Sequence, residues 1–159
     1  LLFTISNADT NFEKFHSEIK NFISNNKKFR FLCNSMGQTL FFSTVKYSSG
    51  VLGNSSSGII EVPSLKVGSI NIGQRQKGRI QAKSVINCGY SQKEIISAVN
   101  TLFSSQFQQH IKNVDNPYEK LQSSDILIKN LEEINEIELQ KQFHDICIGT
   151  ELGRQTSSF

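Results

Sequence analysis

The residues best suited to chemistry form one short run, Gly53-Asn54-Ser55-Ser56-Ser57-Gly58-Ile59-Ile60-Glu61. Three consecutive hydroxyls lie between the apolar Val51-Leu52 and the apolar Ile59-Ile60, so the run reads as the joint where a strand ends and a helix opens. At such a joint the first N–H groups of the helix have no partner within it, and the dipole favours negative charge. The serines add donors, and Gly53 and Gly58 are expected to let the backbone turn tightly and approach a ligand. The chemistry on offer is a cradle for phosphate or diphosphate, led by Ser55 and Ser56. An ordinary Ser-rich turn is the plainer reading, and the strand-to-helix setting brings the two level. Glu61 then favours the cradle, because a carboxylate set between Ile60 and Val62 needs partners if buried, and two ligand hydroxyls would supply them. A glutamate on an exposed helix edge is the competing reading.

A second segment, Asn71-Ile72-Gly73-Gln74-Arg75-Gln76-Lys77-Gly78-Arg79, follows the next apolar run and is expected at the same sheet edge. Arg75 brings planar paired donors suited to phosphate or a base edge. For Lys77 and Arg79 a solvated basic turn is at least as good a reading. Phe41, Phe42 and Tyr47 are read as core rather than as a stacking platform. His16, His110 and His144 fall on helices, and none is spaced to serve a nucleophile. There is no Walker lysine motif, no GxSxG and no GxGxxG, so no catalytic set and no nicotinamide or flavin cofactor are expected. Cys33, Cys88 and Cys147 are odd in number with no CxxC pair, which argues against a zinc site or a disulfide framework and fits a reducing cytoplasm.

The elements that must position these residues alternate. Strands are expected at residues 1–6 (buried), 29–33, 51–53, 68–72 and 84–87. Helices are expected at 9–25, 38–47, 56–65, 91–107 and 121–137. The first helix should bury Phe12, Phe15, Ile19, Phe22 and Ile23, with Thr10 and Glu13 as a capping box. Pro63 should kink or shorten the third. The fourth starts on Ser91 with Glu94 at its third position and should turn Ile95, Ile96, Val99, Leu102 and Phe103 inward. Asn116-Pro117 breaks the chain. Alternation of this kind implies βαβ units and a doubly wound, Rossmann-like parallel sheet covered on both faces, with ligands at the carboxyl ends of its strands.

The chain has 159 residues, 37% hydrophobic, a globular composition of single-domain size. Residues 1–137 are expected to form the nucleotide-binding domain, and residues 138–159 a tail of uncertain structure. The net charge of +3 is spread without a basic stripe, so no nucleic-acid partner is indicated. No apolar run approaches the 18 residues of a membrane span. The opening Leu1-Leu2-Phe3 has neither Met nor the features of a signal peptide, and a start inside a strand suggests a piece of something longer.

The run from Gly53 to Glu61, followed by Pro63-Ser64-Leu65 and then by the segment from Asn71 to Arg79, resembles the hydrolysing UDP-N-acetylglucosamine 2-epimerases of bacterial sialic acid synthesis and the epimerase half of the bifunctional animal enzyme. Asn7-Ala8-Asp9 and Phe41-Phe42-Ser43 match shorter motifs, and the resemblance covers about residues 1–131. It implies the second domain of a glycosyltransferase-B-type fold, holding UDP in a cleft against an N-terminal domain that this chain lacks. That family eliminates UDP through a glycal-like intermediate, then adds water to release N-acetylmannosamine. Its acid and base carboxylates belong to the first domain and hinge, and a histidine near the junction would lie upstream of Leu1. By motif, Ser55 and Ser56 would contact the diphosphate and Glu61 the ribose. Arg75 and the backbone near Met36 would face the nucleotide, and Asn7 would line the cleft near the sugar. The implied partners are UDP-N-acetylglucosamine or UDP, the N-terminal domain, and further copies of the full-length enzyme as an open expectation. Three positions depart from the pattern: Gln74 replaces an acidic residue or threonine, Val67-Gly68 replaces a residue-Pro pair, and Glu119-Lys120-Leu121 replaces Gly-Asp-Gly. A non-catalytic module for a nucleotide sugar or an anion, an epimerase for a GDP-linked or diacetamido sugar, and a glycosyltransferase of the same architecture are the alternatives.

Overall fold

The computed structural model of the chain describes residues 1–4, 12–120 and 122–134. Two compact units divide the chain, Leu1–Lys120 and Leu121–Phe159. In the second, the described helix is α6, Ser123–Glu132, with no buried residue. The first unit carries the strands: β1 (Leu2–Thr4), β2 (Phe31–Cys33), β3 (Val51–Gly53), β4 (Ser69–Ile72) and β5 (Val85–Cys88). Helices α1 (Phe12–Ser24), α2 (Gly37–Lys46) and α3 (Ser57–Ile60) fall between successive strands, and a loop, residues 73–84, joins β4 to β5. Every ladder is parallel, β1 with β2 and β3 with β4 with β5. The α/β class with parallel strands is therefore as expected. Among the described residues the ladders form two sheets, β1-β2 and β3-β4-β5, rather than one.

The expected buried opening strand is corrected. Leu1 and Leu2 are both exposed; among the described residues β1 has one partner strand, β2, and two leucines in a row cannot both turn to one face of a strand. Helix α1 likewise leaves Phe15 and Phe22 largely exposed. Phe22 is held edge-on to Phe3 with ring centroids 5.8 Å apart, and the Arg30 guanidinium lies 3.8 Å above its ring. The Thr10 cap lies outside the described residues.

Two small cores flank the three-stranded sheet. Val45 of α2 packs with Val62 and Val67, joined by Phe41, Val51 and Leu65. Ile70 of β4 packs with Ala98 and Leu102 of α4 (Gln92–Phe103), joined by Ile72, Ile86 and Phe107. Phe41 is thus core, whereas Tyr47 is 85% exposed. The expected helix over 91–107 is two: Ser104 adopts an extended backbone and its hydroxyl accepts the Phe107 N–H at 3.2 Å, capping α5 (Ser105–Ile111). The inward arc of α4 is narrower than expected. Ala98 and Leu102 are buried one turn apart, while Ile96 and Phe103 are exposed.

Pro63 ends α3 after one turn. It has no N–H to return to the Ile59 carbonyl, so the chain tightens into a 3-10 turn, Val62–Leu65, with Ser64 N–H donating to the Glu61 carbonyl at 3.2 Å. That leaves the Ile60 carbonyl without a helical donor. Asn116, only 7% exposed, supplies one: its Nδ2 donates to Ile60 O at 2.8 Å and to Ser64 Oγ at 2.7 Å, while its Oδ1 accepts the Tyr118 N–H at 3.1 Å. Two further bonds fix the same segment, from Lys66 Nζ to the Val114 carbonyl at 2.5 Å and from the Tyr118 hydroxyl to the Ile80 carbonyl at 2.9 Å.

An unmade bond to a buried carbonyl costs about 1–3 kcal/mol. Asn116→Ala is therefore expected to lower the unfolding free energy in urea by about 2 kcal/mol, and Ser64→Ala, which spares the Ile60 bond, by much less. Equal losses would contradict this assignment. A second expectation concerns the start of α4, where the capping box is formed as expected. The Glu94 carboxylate accepts from the Ser91 hydroxyl and from the N–H groups of Ser91 and Gly89, and these bonds, the hydroxyl's first, hold its pKa below the ordinary glutamate value. The charged form is the one favoured by folding. Its contribution is present above the unfolded pKa of about 4.3 and disappears as pH falls through the lowered folded value. In urea titrations, Glu94→Gln should be less stable than the parent above about pH 4.3, and the two curves should converge below it.

Candidate functional site

Strand β3 ends at Gly53, and α3 begins at Ser57 after three intervening residues. The serine loop therefore stands at the carboxyl edge of the three-stranded sheet, where open parallel sheets receive ligands. Its N–H groups are less free than expected. The Ser57 N–H donates to Ser55 Oγ and the Gly58 N–H to the Ser55 carbonyl, both at 3.3 Å, and Ile59 and Ile60 donate to the Ser56 carbonyl at 2.9 Å. Ser55 is exposed and Ser56 half-buried. What the loop offers outward is mainly hydroxyl: Ser55 Oγ accepts from Ser57 and keeps its own proton to donate.

The turn at the serine loop uses no left-handed backbone. Neither Gly53 nor Gly58 has positive φ, so the turn needs no left-handed residue. Gly58 instead lies against β4, where Ser69 Oγ donates to its carbonyl at 2.6 Å. Left-handed glycines occur instead in the basic loop, Gly73 at φ 77° and Gly78 at φ 86°, and at the start of α2, Gly37 at φ 62°. A side chain at Gly73 would also strike the Tyr90 hydroxyl.

Glu61 sits at the joint between α3 and the 3-10 turn, half-buried between Ile60 and the fully buried Val62. It is neither the sealed carboxylate nor the exposed edge residue. Its backbone is held on both sides, by its N–H to the Ser57 carbonyl at 3.0 Å and by its carbonyl to Ser64. Its carboxylate makes no hydrogen bond among the described residues and is open to a ligand's donors.

The two candidate segments meet through a residue that sequence reasoning passed over. Gln76 is 4% exposed, and its Nε2 donates to the Asn54 carbonyl at 2.8 Å, tying the basic loop to the serine loop. Its Oε1 is buried without a hydrogen-bond partner among the described residues. A second missed group is the pair Asn71 and Asn87, which stand opposite each other in register on β4 and β5 and are joined Nδ2 to Oδ1 at 2.8 Å. The available signal was an asparagine at the third position of two successive apolar strands.

Arg75 is an exposed residue of the loop that carries Gln76. Met36 lies at the carboxyl edge of the other sheet, half-buried before α2, with its sulfur accepting from the Thr44 hydroxyl at 3.7 Å. Asn7 lies outside the described residues, as do His144 and Cys147. Ser55, Ser56 and Arg75 thus follow the carboxyl ends of β3 and β4, and Glu61 lies one helical turn beyond the serines. No hydrogen bond among the described residues joins Met36 to them. Cys88 is a poor nucleophile, since burial first and the Glu94 charge second push its thiol pKa up. Among the described residues no cluster of three His, Cys, Asp or Glu could hold a metal, and no helix is long and apolar enough to cross a membrane.

The family model described as UDP-N-acetylglucosamine 2-epimerase matches residues 1–132. The chain is 41% identical over 119 residues to polysialic acid biosynthesis protein P7 of Escherichia coli, covering 75% of this chain and 30% of that protein. It is 34% identical over 110 residues to a hydrolysing GDP/UDP-N,N'-diacetylbacillosamine 2-epimerase of Campylobacter jejuni, covering 69% of this chain and 28% of that protein. A UDP-N-acetylglucosamine 2-epimerase of Neisseria meningitidis serogroup B is 41% identical over 59 residues, covering 37% of this chain and 16% of that protein. The chain thus spans less than a third of the length of the relatives it matches. With that match running through both the serine loop and the basic loop, the chain belongs to the UDP-N-acetylglucosamine 2-epimerase family.

Proposed function

We propose that this chain is the nucleotide-gripping half of a cytoplasmic, hydrolysing 2-epimerase that converts UDP-N-acetylglucosamine to N-acetylmannosamine and UDP, in the glycosyltransferase-B architecture. What supports the reading is the Ser55-Ser56 pair at the carboxyl end of β3 followed, one helical turn on, by a Glu61 carboxylate with no hydrogen bond among the described residues, both on backbone that Gln76 and Asn116 tie down. Hydroxyl donors suit the diphosphate. One carboxylate with two oxygens suits two vicinal ribose hydroxyls. Arg75, Met36 and Asn7 would complete the grip on the nucleotide and sugar.

No acid and base converge on the serine loop from the described residues, and proton transfer requires positioned groups. On this reading the acid and base come from an N-terminal domain, across a cleft this half closes on one side. A diacetamido sugar is the second reading for the substrate, favoured by the similarity to the diacetylbacillosamine 2-epimerase of Campylobacter jejuni.

The expected outcome for the 159-residue chain alone is no release of N-acetylmannosamine from UDP-N-acetylglucosamine, followed by proton NMR. Robust turnover by it would overturn the division of labour. In the full-length protein, Glu61→Gln replaces one acceptor oxygen by a donor. Calorimetry should show UDP binding roughly tenfold weaker and little change for 2',3'-dideoxy-UDP. Equal weakening of both ligands in a folded variant would remove Glu61 from the ribose.

A further inference from the structure

The loop between β4 and β5 has two faces. Gln76 turns back to the serine loop, while Gln74, Lys77 and Arg79 line a separate pocket of about 370 Å³ on the β5 side. Its other walls include Asn71, Asn87 and Gln81. Residues of the nucleotide grip proposed above, Ser55, Ser56, Glu61 and Arg75, do not line it.

The polar lining forms a relay of amides. Asn71 Nδ2 donates to Asn87 Oδ1 at 2.8 Å, and Asn87 Nδ2 donates to Gln81 Oε1 at 2.7 Å. The relay ends at Asn71, 5% exposed, whose Oδ1 is buried without a hydrogen-bond partner among the described residues. If all three amides flip together the same bonds reform in reverse, and Asn71 then holds an unmade donor in place of an unmade acceptor. The outer part of the relay, the half-buried Gln81 and the exposed Asn87, presents amides that can donate or accept, which suits a hydroxyl. At the rim stand Lys77 and Arg79, both exposed, with no acidic residue in the lining. Two cations with no lining carboxylate suit an anionic group. The volume lies within the range of small-ligand sites.

We propose that this pocket is a second ligand site, distinct from the nucleotide grip, for a small polyhydroxylated anion: a sugar acid or a sugar phosphate, with hydroxyls on the outer part of the relay, Asn87 and Gln81, and the anionic group between Lys77 and Arg79. The proposal stands whether or not the chain binds UDP.

The test is calorimetry on the full-length protein with D-glucuronate and D-glucose 6-phosphate, set against glucose and inorganic phosphate. At least one of the two sugar anions should bind saturably and at least roughly tenfold more tightly than either control, since charge and hydroxyls are both needed; the stronger of the two identifies the anionic group. Arg79→Gln and Gln81→Leu, each checked for an unchanged thermal melt, should weaken that binding by roughly tenfold. Saturating UDP and the Ser55→Ala change should leave it in place. Absence of saturable binding by both sugar anions would overturn the proposal. So would phosphate binding as tightly as they do, indifference to both pocket variants, or displacement by UDP.

Discussion

A proline where a helix would otherwise continue is the constraint on which the site depends. Pro63 stops α3 after a single turn and strands the Ile60 carbonyl. Asn116 repairs that loss from far along the chain, bridging Ile60 and Ser64 on either side of Glu61. A continuous helix would need no such repair, and it would carry Glu61 along a smooth face. The break instead places the carboxylate at a corner whose backbone is bonded in both directions. An acidic residue is thereby held at a fixed joint, one helical turn beyond the serine loop, and its carboxylate makes no hydrogen bond among the described residues.

The rest of the first unit serves that corner. The apolar contacts are modest: two small clusters on the three-stranded sheet, one from α2 and the 3-10 turn and one from α4. They set the distance of the helices from the strands but leave the loops undetermined. Loop geometry comes from single polar side chains that reach backbone carbonyls, Gln76 to Asn54, Lys66 to Val114, Asn116 to Ile60 and Tyr118 to Ile80. Where the accepting carbonyl is buried, as at Val114, it strongly prefers a partner, and a bond to it fixes a loop more directionally than contacts between methyl groups do.

This division explains what could be read before the structure. Val51–Gly53 was legible because an apolar pair ends on a glycine, and the Ser91–Glu94 box because capping is a local bargain among four residues. The shortening at Pro63 was legible for the same local reason. The serine run and Glu61 stood out because hydroxyls and a carboxylate interrupt apolar sequence. What stayed hidden was decided across the fold. Gln76 looks like any polar loop residue until its bond to Asn54, 22 positions away, is seen. Asn116 reads only as the partner of Pro117 in a chain break. The split at Ser104 was masked because Leu102, Phe103, Phe107 and Ile111 keep a helical rhythm through a residue whose backbone is extended. The exposed Leu1 and Leu2 misled because apolar character tells that a residue prefers burial, and not that a neighbour exists to cover it.

The span between Ile60 and Asn116 has a consequence for how the protein is made. A chain emerges from the ribosome in order and begins folding from its first residues. By Cys88 all five strands have been synthesised, and so have the serine loop and Glu61. The groups that fix the corner, the Val114 carbonyl and the Asn116 amide, lie 48 and 56 positions beyond the Lys66 and Ile60 groups they bond. A nascent chain therefore presents the sheet first and the finished corner last. Until that segment has emerged and docked, the Ile60 carbonyl is left to water, so the backbone on either side of Glu61 is tied down only once translation has passed Asn116.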